Sequence, residues 1–139
     1  MDYGFIIVEV FDSKTLKPLK SGEIIIYKYK SPNIVFYKEI DKNFSGKTQR
    51  IKVQAPDKSL SEYPVQNGKL PYSLYDVKIK SKGYIDSLII GVQVFPQVTA
   101  VQRVYMMVLP KGVEEGSMTN IIVIPPNTLV GNRYTCKSF

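Results

Sequence analysis

The sequence has 139 residues with a net charge of +7, one cysteine, and neither histidine nor tryptophan. Without an imidazole the chain cannot build a Ser–His–Asp or Cys–His nucleophile, and a single cysteine supplies neither a structural zinc site nor an internal disulfide. Because its apolar runs are shorter than the ~18 residues of a membrane span, the composition predicts a soluble, non-catalytic domain without a metal or cofactor.

The first half of the chain contains four predicted β-strands, because apolar and polar residues alternate in short runs between turn signals. The alternation is clearest where Ile51 and Val53 point to one side and Lys52 points to the other. The four predicted strands span Phe5–Phe11, Glu23–Lys30, Ile34–Ile40 and Thr48–Gln54.

Residues 55–71 form the longest irregular stretch, with three prolines and a glycine. A loop of this length is uncommon in a compact domain and is often functional, so it is a candidate ligand or partner surface. Its aromatic and basic side chains suit contact with sugar rings and anionic groups, and ordinary cross-strand packing is the alternative role of the tyrosines. We expect exposure in or beside this loop for Tyr63 and Tyr72, together with Lys58 and Lys69.

The second half contains four more predicted strands, and Gly91 inside one of them indicates a β-bulge. No segment of ten or more residues has helical periodicity. We therefore predict one all-β sandwich of seven to eight strands over residues 1–110. A C-terminal extension over residues 111–139 would hold a short strand and a proline-rich tail. The four strands span Tyr72–Ser81, Ser87–Phe95, Val98–Leu109 and Ile121–Ile124.

Several motifs resemble a known family of β-sandwiches. Glu9–Asp12, followed by Thr15–Leu19 and Gly22–Tyr27, is similar to the opening of a carboxypeptidase-regulatory-like, transthyretin-like domain. Phe44–Thr48 stands where those domains carry a glycine-containing hairpin, and Lys82–Tyr84 resembles the turn that ends one of their strands. The resemblance implies an immunoglobulin-like, transthyretin-like β-sandwich.

A narrower resemblance covers residues 5–110 and concerns the accessory domain of clostridial spore cortex-lytic enzymes. It rests on the order and spacing of short motifs. The catalytic domain of those enzymes has no counterpart in this sequence, so the resemblance implies a spore or cell-envelope setting and a non-catalytic role. The matching motifs are Ala55-Pro56, Ser59-Leu60, Pro71–Val77, Gly83-Tyr84, Gly91–Phe95 and Val98-Thr99.

The C-terminal region has features that suit association with a neighbouring subunit. Cys136 lies in a polar tail, where a cysteine is rarely buried, so it is a candidate inter-subunit crosslink; a free thiol in a reducing cytoplasm is the open alternative. The adjacent Glu114 and Glu115 are interpreted as a solvated loop, because a glycosidase needs two carboxylates held ~5–9.5 Å apart. A strand able to add to the open sheet edge of a neighbour consists of Ile121, Ile122, Val123 and Ile124.

The sequence therefore predicts a non-catalytic β-sandwich that assembles with copies of itself or with protein partners, through strand edges and its tail. The resemblance implies a spore layer, an appendage or a virion-like particle as the setting. Residues 1–5 lack the basic start of a secretory signal, which predicts synthesis in the cytoplasm.

Two alternative functions stay open. Residues 14–82 hold 15 of the 19 cations and six acids, which suits a module that binds peptidoglycan or another anionic glycan. The other alternative is a regulatory partner of a separately encoded cortex hydrolase. Because 16 of the cations are lysines, we do not expect specific nucleic-acid binding, for which arginine is the usual reader.

Overall fold

A computed structural model describes residues 2–57 and 70–125, which form eight β-strands. No helix in these two ranges could cross a membrane. All eight predicted strands are present, with ends that differ by a few residues. They are β1 (Asp2–Asp12), β2 (Gly22–Lys28), β3 (Ile34–Ile40), β4 (Ile51–Ala55), β5 (Ser73–Lys80), β6 (Asp86–Val94), β7 (Thr99–Met106) and β8 (Thr119–Val123).

The strands form two sheets that enclose a common core, so the predicted all-β sandwich is confirmed. One sheet has the order β4-β1-β7, and the other has the order β3-β2-β5-β6-β8. Two neighbouring pairs are parallel, β1 with β7 and β6 with β8, and the remaining pairs are antiparallel. β8 belongs to the five-stranded sheet although it follows residue 110, and the predicted division of the chain at that residue stays a prediction.

The core lies between the sheets because alternate residues of each strand point inward. In β1, Ile6, Val8 and Val10 are fully buried, while the residues between them stay partly exposed. Ile24 and Ile26 of β2 are also fully buried and belong to the same hydrophobic cluster. Each such side chain contributes roughly 1.5–3 kcal/mol by its burial, so the alternation seen in the sequence is what stabilises the sandwich.

β7 ends at Met106, earlier than the predicted end at Leu109, because the chain then leaves β1 and contacts the turn between β5 and β6. The N–H of Ile85 donates to the carbonyl of Met107 at 2.8 Å, and the N–H of Leu109 donates to the carbonyl of Gly83 at 2.9 Å. These hydrogen bonds connect the three-stranded sheet to the five-stranded sheet.

The predicted bulge at Gly91 is confirmed. The register of β5 against β6 shifts between Tyr75 and Asp76, and Gly91 has a φ of +89°, which favours glycine. The buried carboxylate of Asp76 fixes this bulge, since its Oδ1 accepts from the N–H of Gly91 at 3.1 Å. Its Oδ2 accepts from the N–H of Lys30 at 2.8 Å. Because Lys30 turns to a φ of +50°, β2 ends at Lys28 and not at the predicted Lys30.

Candidate interaction surface on the five-stranded sheet

β8 is held on the five-stranded sheet by β6 and by contacts beyond its own end. All of its residues pair with β6. After the strand, the N–H of Ile124 donates to the carbonyl of Ile90 at 2.9 Å, and the side-chain amide of Gln93 donates to the carbonyl of Pro125 at 2.8 Å. A Cβ at Gly91 would lie 3.4 Å from the carbonyl oxygen of Ile124, an ordinary van der Waals contact, so this end of the chain passes directly beside the bulge.

Within residues 2–57 and 70–125, the outer edge of β8 is open and apolar. β8 is the last strand of its sheet in the described part of the chain, and none of its five side chains carries a charge. Ile121 and Val123 are 57% and 64% exposed, and Ile122 is exposed as well. Ile124, the last residue of the predicted association segment, is instead partly buried against the core. An uncharged edge with unpaired N–H and C=O groups presents a template for another strand.

The other edge strands of the two sheets carry charged side chains. β3 contains Lys38 and Glu39, β4 contains Lys52, and β7 contains Arg103. Charges on an edge strand discourage pairing with another chain. β8 is therefore the edge that is least protected against association.

An apolar stripe extends from β8 onto the outer face of β6. Leu88 lies opposite Ile121, and Ile90 lies opposite Val123. All four side chains are at least partly exposed, and they are called the β8 stripe below. Lys78 of β5 is the next residue in the row of Leu88, so the stripe ends there. It adds an apolar contact area beside the open backbone edge.

A hydrogen-bonded pair joins the end of β1 to the turn between β5 and β6. The hydroxyl of Tyr84 donates to Oδ2 of Asp12 at 2.6 Å, while the N–H groups of Lys14 and Thr15 donate to its Oδ1 at 2.8 and 3.0 Å. The bond from Tyr84, followed by the backbone bonds, lowers the pKa of Asp12 from 3.8 to about 2. The same side-chain bond, with burial, raises the pKa of Tyr84 to about 12.

Replacing Tyr84 by phenylalanine is expected to flatten the acid dependence of stability. The pKa of Asp12 is lower in the folded protein than in the unfolded chain, so its contribution is complete above pH ~4 and is lost as the pH falls to ~2. Tyr84→Phe returns this pKa toward its ordinary value, so the variant loses less of its free energy of unfolding across that range. Urea unfolding at several pH values measures the difference.

The exposed Tyr3 provides the control for this experiment, because Tyr3→Phe removes a hydroxyl at the opposite end of β1 from Asp12. Its pH profile should run parallel to that of the wild type. An equally parallel profile for Tyr84→Phe would contradict the assignment of the lowered pKa to the hydrogen bond from Tyr84.

The prediction that Tyr72 is exposed is wrong. This side chain is 4% exposed, and its ring centroid lies 5.2 Å from that of Phe95. Residue 72 directly precedes β5, and pairing with another aromatic ring buries the large apolar body of tyrosine. Tyr72 therefore stabilises the interior and does not form a ligand surface. Outside the described residues lie Lys58, Tyr63, Lys69 and Cys136, whose predicted roles stay predictions.

A cavity of about 490 Å³ lies at the end of the five-stranded sheet where β2 and β6 begin, and sequence analysis did not identify it. Its lining includes the carboxylates of Glu23, Glu39, Asp86 and Glu115. These residues come from separate strands and a loop, so no local sequence motif contains them. Only the pairing of the strands brings them together.

No protein-family model matches the sequence, and the comparison with curated proteins found no match either. The resemblance to carboxypeptidase-regulatory-like domains, and to the cortex-lytic accessory domain in particular, therefore stays a prediction.

Three solved structures align with most of this chain. Catechol 1,2-dioxygenase from Acinetobacter sp. ADP1 is similar with a TM-score of 0.51 at 10% identity, over 88% of this chain and 58% of that chain. For 3-chlorocatechol 1,2-dioxygenase from Rhodococcus opacus 1CP, the TM-score is 0.46 at 10% identity, over 78% of this chain and 61% of that chain. For GBS52, the minor pilin of Streptococcus agalactiae, the TM-score is 0.42 at 15% identity, over 83% and 48%.

These alignments span less than two thirds of each of the three solved proteins. At 10% identity, the likeness to the Acinetobacter enzyme concerns the fold alone. It shows a β-sandwich of related architecture and carries no activity over to this chain.

Proposed function

We propose that this protein is a non-catalytic assembly protein that associates with a second copy of itself through β8. The observation that carries the proposal is the open, uncharged edge of β8. When two identical strands pair antiparallel about a two-fold axis, each strand meets the same residues, so a charge near the axis faces its like. β8 has no charge to oppose this pairing, whereas the other edge strands do.

The β8 stripe supports the same partner. Pairing of two β8 strands joins the five-stranded sheets of both copies into one continuous sheet. With the two-fold axis at Ile122, Ile121 of each copy lies opposite Val123 of the other, and Leu88 and Ile90 lie behind them on β6. Cross-strand contacts between β-branched side chains stabilise such pairs, so apolar side chains reinforce the new backbone hydrogen bonds.

Two of the 15 cations of residues 14–82 contact aromatic rings of β1, which slightly favours assembly over the binding of an anionic polymer. Arg50 lies 4.0 Å from the ring centroid of Phe5, and Lys52 lies 4.2 Å from that of Tyr3. Cations held over aromatic rings already have favourable contacts within the molecule. These two side chains are therefore less available to an anionic glycan than cations without such a contact.

The setting that we propose is a spore layer, an appendage or a virion-like particle. It is supported by the sequence resemblance to the accessory domain of clostridial cortex-lytic enzymes. In such a particle, a disulfide through Cys136 would add a covalent link between copies already joined through β8.

Multi-angle light scattering on the full chain across a wide range of concentration tests the association. The wild type is expected to form a dimer, and Ile121→Lys, which puts a charge on the edge, is expected to stay monomeric. The matched control is Val101→Lys, since Val101 is 56% exposed on β7 of the other sheet and Ile121 is 57% exposed. A monomeric wild type at every concentration, or equal effects of the two lysines, would contradict the proposal.

A further inference from the structure

Four carboxylates line the cavity of about 490 Å³, although the chain as a whole has a net charge of +7. In the strand register, Glu23 of β2 lies between Glu39 of β3 and Lys80 of β5. Asp86 begins β6, and Glu115 comes from the loop that precedes β8. The cavity is thus a local acidic site on a basic protein.

Among the residues that the structure describes, Asp86 has no partner in this site. It is 6% exposed, whereas the other three carboxylates lie on more exposed residues. In the two described ranges, its carboxylate makes neither a hydrogen bond nor an ion pair. Its oxygens keep some contact with solvent, and Asp86 belongs to the lining of the cavity. A carboxylate on a largely buried residue is less stable without a partner than with one, and a bound cation would supply that partner.

Glu23 and Glu39 are a second, independent indication that this cavity holds uncompensated negative charge. They lie directly opposite each other in an antiparallel pair, where like charges are destabilising. The hydroxyl of Tyr37 donates to Oε2 of Glu23 at 2.6 Å and so orients that carboxylate. Lys80 and Lys82 also line the cavity, yet among the described residues neither forms a salt bridge with its carboxylates.

We infer that this cavity binds an organic cation that carries a primary ammonium or guanidinium group. The acidic side chains of the described residues include no group of three that could hold one metal ion, so they are too widely spread for a single metal centre. An ammonium or guanidinium group on a longer molecule donates several hydrogen bonds over a wider span. The cavity volume also falls within the ~300–1,000 Å³ typical of small-ligand sites. Two kinds of molecule carry such a group: a partner protein with an exposed lysine or arginine side chain, and a free polyamine.

Nuclear magnetic resonance titration of the isotope-labelled full chain tests this inference. The probes are Nα-acetyl-arginine amide, Nα-acetyl-lysine amide and putrescine, with Mg²⁺ as the inorganic comparison. We expect saturable shifts of the backbone N–H signals of Glu23 and Asp86 with an organic cation, and roughly tenfold weaker binding in Asp86→Asn. Glu114→Gln removes an acid next to Glu115 but outside the cavity lining, so this control should bind like the wild type.

Glu23→Gln repeats the test if Asp86→Asn does not fold, because its amide oxygen still accepts from Tyr37. Stronger binding of the amino-acid amides supports a basic side chain as the ligand, and stronger binding of putrescine supports a free polyamine. An equal response to Mg²⁺, an absence of saturation with all organic probes, or unchanged binding in both variants would overturn the inference.

Discussion

Replacing Asp76 by alanine is expected to lower the free energy of unfolding by about 3 kcal/mol, because two backbone N–H groups lose a charged acceptor. These groups belong to Gly91 and Lys30, and the Asp76 side chain is 7% exposed, so water does not readily replace it. The N–H groups of Gly91 and Lys30 both lie in irregular backbone, where they donate to this carboxylate and not to the backbone of a neighbouring strand. The substitution therefore weakens the bulge of β6 and the turn after β2 together.

Urea unfolding followed by circular dichroism measures this loss at constant slope against denaturant. Asp76→Asn keeps one acceptor oxygen and should cost about half as much. The matched control is Asp41→Ala, since Asp41 accepts from the N–H of Asn43 at 2.8 Å in an exposed turn and should cost less than ~1 kcal/mol. Equal losses for the two alanine variants would show that the burial of Asp76 has no special importance.

The strands of this protein could be predicted from local pattern, but their pairing could not. Alternation of apolar and polar residues is a property of each segment alone, and it was sufficient to find all eight strands. The parallel pairing of β1 with β7 sets Phe5 opposite Thr99, and no short-range signal indicates which distant segments meet. The pairing of β8 with β6 could not be predicted for the same reason.

Side-chain burial departs from the local pattern at Asp76 and Tyr72. A carboxylate in an alternating strand is expected to face solvent, yet the turn that contains Lys30 closes over Asp76. Gly91 is the one feature of the sequence that could have indicated the burial of Asp76. A bulge leaves an N–H group without a backbone partner in the neighbouring strand, so this group needs another acceptor. The exposure of Ile121 was easier to anticipate, since a short uncharged strand near the end of a sequence suits a sheet edge.

Gly4 is a second position where one additional carbon atom is expected to have a large effect. It lies in β1 opposite Val53, at a point where β1 approaches the end of β6. A Cβ at Gly4 would lie 2.5 Å from the carbonyl oxygen of Phe95 and would overlap the side chain of Val94. Val94 is fully buried, and the carbonyl of Phe95 accepts from the N–H of Val98 at 3.3 Å, so both are constrained.

Gly4→Ala is therefore expected to lower the free energy of unfolding by about 2–3 kcal/mol, the cost of overfilling a packed core. The control is Gly83→Ala, where φ is +83° and a Cβ has no neighbour within 4 Å, so urea unfolding reports backbone strain alone. In a Val94→Ala background one of the two overlaps is gone, and the cost of Gly4→Ala should fall. An unchanged cost in that background would exclude Val94 as the cause. If Gly4→Ala is as stable as the wild type, the prediction is wrong. That result would mean that β1 and β6 can move apart and remove the overlap with Phe95 at no cost in the free energy of unfolding.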